Sequence, residues 1–126
     1  MAELSLFQVA HQHARWLMDR QTTIADNIAH ASSPGFRARD VTPFAAAVDA
    51  VQTSMTTTNE RHLQMSVDVH RQAMRALSAG YATAHSGNTV ALDQQLLMSN
   101  EVRQGYALNT GIVKSFHRMI MSAAKS

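Results

Sequence analysis

Apolar residues recur at alternating spacings of three and four through Phe7, Ala10, Ala14, Leu17, Gln21, Ile24, Ile28 and Ala31. Seven of these eight positions are apolar, the mark of a narrow coiled-coil seam rather than a broad globular face. The alternation returns in Val102, Tyr106, Asn109, Val113, Phe116, Ile120 and Ala123. Asn109 is the one polar member, and a single Asn in a seam sets register at some cost in stability. Leu92, Leu96 and Leu97 broaden the apolar surface just upstream. The pattern predicts a helix over residues 1–33 and another over 89–126, paired antiparallel so that the chain closes at one end. A helix of roughly 25 residues is about 40 Å long, and such a seam needs a partner to cover it.

Between the two helices the periodicity weakens. Pro34 disfavours helical backbone at Ser33 and has no N–H to donate, so the first helix should stop there. Pro34-Gly35 suits the central positions of a type II turn, in which glycine takes φ > 0. Arg37 to Asp40 reads as a polar exit. Pro43 to Val51 reads as a short helix, with Phe44, Val48 and Val51 at helical spacing. Thr53 to Glu60 has no period and reads as a loop, and Val67 to Leu77 as helix or irregular chain. Ser78-Ala79-Gly80 and Ser86-Gly87-Asn88 punctuate the approach to the last helix. The expected fold is all-α: one domain over 1–126, with long terminal helices packed as a coiled-coil-like pair and a turn, short helix and loose middle over 34–88.

Composition narrows the function classes. With 126 residues, 45% hydrophobic and 16% charged, the chain can bury a modest core and is not disordered throughout. No cysteine is present, which excludes disulfides and thiolate chemistry. MAELSLFQVA lacks a basic n-region and a continuous apolar core, so no cleaved secretory signal is expected, and no apolar run is long enough to span a bilayer. The net charge of +2 is spread along the chain in no single block, which argues against nucleic-acid binding. Seven histidines raise a metal site. His11 and His13, however, lie about 200° apart on a helix, and His30, His62, His70, His85 and His117 show no ligand spacing. No nucleophile–base pair, phosphate loop or paired carboxylates can be read. The methionines read as adaptable packing. No catalytic residue, cofactor or metal is expected, and the chain does not read as an enzyme.

The string Asn27-Ile28-Ala29 with Pro34-Gly35-Phe36-Arg37 behind it resembles the N-terminal signature of the bacterial flagellar rod and hook proteins, roughly A-x-N-I-A-N-A-x-T-P-G-[YF]-[KR]. Here His30 stands for the second Asn, Ser33 for Thr and Phe36 for the commoner Tyr. Arg61-His62-Leu63, Ser86-Gly87-Asn88-Thr89-Val90 and the spacing of Asn100 and Tyr106 extend the likeness to the small proximal rod members. One departure is Val90-Ala91-Leu92-Asp93, where the family often reads G-N-x-V-D-L-E. Capping of the last helix then falls to Thr89 or Asn88, or is lost at roughly 1 kcal/mol.

The resemblance implies a structural subunit of the basal-body rod, assembling with copies of itself and other rod proteins near the inner-membrane ring and export apparatus. It further implies a periplasmic rod, reached through flagellar type III export without a cleaved signal. Asn27, Ile28, Ala29, Pro34, Gly35, Phe36 and Arg37 would form an assembly motif. Phe7, Leu17, Ile24, Ile28, Val102, Tyr106, Val113, Phe116 and Ile120 would form the packing seams. A stand-alone helical adaptor or regulator, melting cooperatively as a small oligomer, is the alternative. A basic nucleic-acid binder with salt-dependent affinity ranks below it.

Overall fold

In chain order the elements are α1 (Leu6–Ala29), β1 (Arg39–Val41), α2 (Phe44–Gln52), β2 (Met74–Ala76) and α3 (Leu92–Ala124). They come from a computed structural model that describes residues 6–52, 74–76 and 83–125. The long terminal helices pack against each other and define an all-α chain, as the seam pattern predicts.

Their pairing is antiparallel, because numbers fall along α3 as they rise along α1. Phe7 meets Phe116 edge-on with ring centroids 5.8 Å apart. Asn109 Nδ2 donates to Ala10 O at 3.0 Å, Gln21 Nε2 donates to Ser99 Oγ at 3.3 Å, and Asn27 Nδ2 donates to Gln95 Oε1 at 3.0 Å. The polar exceptions in the two seams, Gln21 and Asn109, thus face polar partners. Between those rungs Leu17, Ile24, Met98 and Val102 form the buried apolar core, with Trp16 packed on its edge. Polar rungs give the pair one register, since a slide by one turn would break each of these bonds.

A short ribbon flanks the helices. β1 pairs antiparallel with β2, with Arg39 opposite Ala76, Asp40 opposite Arg75 and Val41 opposite Met74. Asp40 is buried and receives Arg20 Nε at 3.2 Å and Arg20 Nη2 at 3.4 Å, while its Oδ1 also accepts from Val41 N at 2.9 Å. Arg20 lies 5.5 Å from the centre of the Trp16 ring, and Trp16 Nε1 donates to Thr42 O at 2.8 Å. Phe44 joins this group, 4.8 Å from the His13 ring, and so seats the start of α2 beside α1.

Several sequence expectations change. The first helix ends at Ala29 rather than Ser33, and residues 30–33 form turns. The polar exit Arg37–Asp40 runs into a strand, and within Val67–Leu77 the residues Met74–Ala76 are strand. Three-residue strands are too short for an alternating pattern, and their partners lie far apart in sequence, so neither had a local signal. Thr53–Glu60, Arg61-His62-Leu63, His70 and the remainder of Val67–Leu77 apart from those three lie outside the described residues. The short helix is Phe44–Gln52, with Pro43 just ahead of it. The last helix starts after Ala91, which makes no side-chain cap. Neither proposed substitute caps it: Thr89 Oγ1 accepts from Ala38 N at 2.9 Å, and Asn88 Oδ1 accepts from Val90 N at 2.8 Å.

Candidate assembly site

The first signature loop begins where α1 runs out of helical hydrogen bonds. Its tail tightens through Ala31 N to Ile28 O at 3.1 Å and Ser33 N to His30 O at 3.0 Å. The turn Ser33–Phe36 follows, closed by Phe36 N to Ser33 O at 3.3 Å, with Gly35 at φ +70°. That is the type II geometry Pro34-Gly35 predicts. A Cβ on Gly35 would meet nothing within 4 Å, so the demand for glycine there is a backbone demand alone. Gly35→Val is accordingly expected to cost about 1–2 kcal/mol and Gly35→Asn clearly less. Urea unfolding of the two variants checks this, and equal midpoints would refute it.

The second loop, residues 84–90, docks on the first. Gly35 N donates to Ser86 O at 2.9 Å and Thr89 N to Phe36 O at 3.1 Å. Gly87, at φ +79°, approaches so closely that a Cβ there would lie 3.5 Å from Gly35 Cα. Asn88 completes the clasp. It is buried, and its Nδ2 donates to His30 O at 2.8 Å, Ala31 O at 2.9 Å and Ser33 O at 2.8 Å. These carbonyls belong to the unwound end of α1, beyond its regular helical bonds; His30 O and Ser33 O each also accept one turn bond, from Ser33 N and Phe36 N. One side-chain amide from another segment supplies what a helix terminus lacks.

Asn27 performs a matching task one turn earlier. It is fully buried. Its Oδ1 accepts from Arg39 N at 3.0 Å and its Nδ2 donates to Arg39 O at 2.7 Å, so the amide pairs with both backbone groups of one β1 residue. The same Nδ2 reaches Gln95 Oε1, joining α1, β1 and α3 at a single side chain. Asp would keep the acceptor and lose both donors, and an apolar residue would lose all three bonds.

The predicted site residues therefore divide. Asn27 is an internal clamp. Ile28, Ala29, Pro34, Gly35 and Arg37 are exposed on the outside of the clasp. Phe36 is half-buried, stacked on His30 at 4.5 Å with an 8° interplanar angle, and the Arg39 guanidinium lies 5.8 Å from the centre of the Phe36 ring. His30, read in the sequence as solitary, also approaches Asp26 Oδ1 at 3.3 Å. Of the seam residues, Leu17, Ile24 and Val102 are buried and Val113 is half-buried. Phe7, Ile28, Tyr106, Phe116 and Ile120 remain exposed. Gln95 and the Arg20–Asp40 pair were not foreseen, because a polar residue that ends up buried against a distant partner looks like any surface residue in a sequence.

No family model matches the chain. Against the flagellar basal body rod protein FlgB of Agrobacterium fabrum it is 38% identical over 129 aligned residues, which cover 99% of this chain and 96% of that protein. The chain belongs to the FlgB family. A FlgB of Proteus mirabilis is 33% identical over 85 residues, covering 60% of this chain and 61% of that protein.

As a FlgB-family member the chain is a structural subunit of the flagellar basal-body rod and not an enzyme. The clasp suits such a part. Its hydrogen bonds fix the direction in which the exposed Pro34-Gly35 edge leaves α1, and FlgB-type subunits assemble with other rod proteins. Among the described residues no helix is long and apolar enough to cross a membrane.

Proposed function

We propose that this FlgB-family chain builds the proximal, periplasmic part of the rod through its terminal helices, after flagellar type III export without a cleaved signal. Its neighbours are copies of itself and other rod proteins at the base near the inner-membrane ring and export apparatus. The observation that supports this reading is the surface of α3. Leu97, Leu108 and Ile112 are exposed on a flank turned away from α1, and Leu92 and Leu96 are exposed on the other. A helix apolar on more than one side is built to be covered on more than one side. A single partner helix leaves that requirement unmet, whereas repeating heterologous contacts in a helical array meet it. The exposed seam residues Phe7, Tyr106, Phe116 and Ile120 and the outward clasp residues Ile28, Pro34, Gly35 and Arg37 are the further contact elements.

The double variant Leu108→Ser with Ile112→Ser tests the proposal. Both side chains are exposed in the chain itself, so its own helicity should be unchanged. Each would contribute about 1.5–3 kcal/mol when fully buried between subunits. The expected result is normal amounts of the protein in the medium, near absence from purified basal bodies, and non-motile cells. Normal incorporation would remove α3 from the rod's subunit contacts.

A further inference from the structure

The two flanks of α3 differ in chemistry. Beyond Glu101 the helix carries no acid, yet it continues through Arg103, Lys114 and Arg118 to Lys125 at its end. At about 100° per residue these four cations fall within a sector about 60° wide, and the stripe runs about 33 Å along the axis. All four are exposed, and among the described residues none of them forms an ion pair. Between Arg103 and Lys114 the same face is made of small residues, Ala107, Thr110 and Gly111, and a Cβ on Gly111 would meet nothing within 4 Å. A second helix can come close there, with basic residues at both ends of the contact.

From this stripe we infer that the basic flank of α3 receives an acidic helical face of a different protein, not of a second copy. The inference rests on the rod-subunit reading and specifies the partner of one face. A second copy offers too little negative charge. Asp40 is buried against Arg20, Asp26 is held by Arg39 and His30, and Glu101 is engaged by Arg20. Glu3 near the start of the chain and Asp19, Asp49 and Asp93 on three different helices are the other acids outside the 53–73 stretch, and carboxylates so scattered do not match four aligned cations. The sequence elsewhere sets Glu60 beside Arg61 and Asp68 three residues before Arg71. A lipid surface fits less well, because a membrane-lying helix needs its apolar face opposite the basic one. Opposite this stripe, Met98 is buried in the helix pair and Phe116 packs on Phe7 of α1. Complementary charge along a helix sets register and rejects wrong neighbours, which a part repeated in a fixed order requires.

Carbodiimide treatment of purified basal bodies tests this, since it joins a lysine amine to a carboxylate in direct contact and mass spectrometry then names the linked peptides. Lys114 and Lys125 should be found joined to Asp or Glu of another protein. Linkage to Asp19 or any other acid of a second copy overturns the inference, as does the absence of carboxylate linkage. Basal bodies without the chain would overturn the rod reading itself, and this inference with it. In a second arm, Lys114→Glu with Arg118→Glu should lower incorporation about tenfold or more, with helicity and the amount in the medium unchanged. Wild-type incorporation of that variant counts against the stripe. Purified full-length protein is also mixed with vesicles of phosphatidylglycerol and phosphatidylethanolamine. Binding abolished by the same two substitutions would assign the stripe to lipid and overturn the protein partner.

Discussion

Asn88→Asp should unfold the chain more readily than Asn88→Ala at neutral pH, although it is the smaller change of shape. The native amide points its N–H groups at the carbonyls of His30, Ala31 and Ser33. Alanine removes that donor from all three, so that Ala31 O loses its partner while His30 O and Ser33 O keep only their turn bonds from Ser33 N and Phe36 N, at a cost of about 1–3 kcal/mol. Aspartate instead sets a carboxylate against three oxygens at the negative end of α1, and an uncompensated buried charge costs roughly 3–5 kcal/mol. Such a carboxyl is held protonated to higher pH in the folded chain than in the unfolded one. The folded state then binds more protons, so the variant loses stability as pH rises and regains it as pH falls. Urea midpoints of the Ala and Asp variants, compared at neutral and acid pH, should therefore converge or cross on acidification. An Asp variant as stable as wild type at neutral pH would show that the amide does not cap α1.

Asn27→Leu is expected to be comparably severe, for a reason of connectivity. Leucine fills the space and satisfies nothing, so Arg39 N, Arg39 O and Gln95 Oε1 all lose their partner. Buried groups left this way cost about 1–3 kcal/mol each, against a typical total stability of about 5–15 kcal/mol. The damage should be localised first at the junction of α1, β1 and α3. Amide exchange at Arg39 should accelerate strongly, while amides near Leu17 and Val102 keep more of their protection. Uniform acceleration along both helices would mean that the clamp has no local role.

Much of the architecture was legible because it rests on short-range periodicity. Leu17, Ile24 and Val102 announced the helix pair, Pro34-Gly35 announced the turn, and Asn109 announced a register-setting polar position in the seam. What the turn was for was not legible. Asn88 lies 55 residues from Ser33, and no property of either residue alone says that one caps the other. The same holds for Asp40, which reads as part of a solvated exit and is instead buried on Arg20. Asn27 was selected by its place in a family signature and expected at a contact with neighbours. Its burial between α1, β1 and α3 explains the demand for Asn by geometry inside the chain.

The ribbon between β1 and β2 has a consequence for chain length. Val41 and Met74 are paired across it, so the connection between them begins and ends at neighbouring backbone positions, about 5 Å apart. Residues added there do not move α1 against α3, since the pairing and the loop clasp hold the helices independently of what lies between. By closure entropy alone, doubling such a connection costs only about 0.6 kcal/mol. The helix pair is thus a fixed chassis with a socket for extra sequence, and the connection between β1 and β2 can be lengthened without redesigning the contacts between α1 and α3.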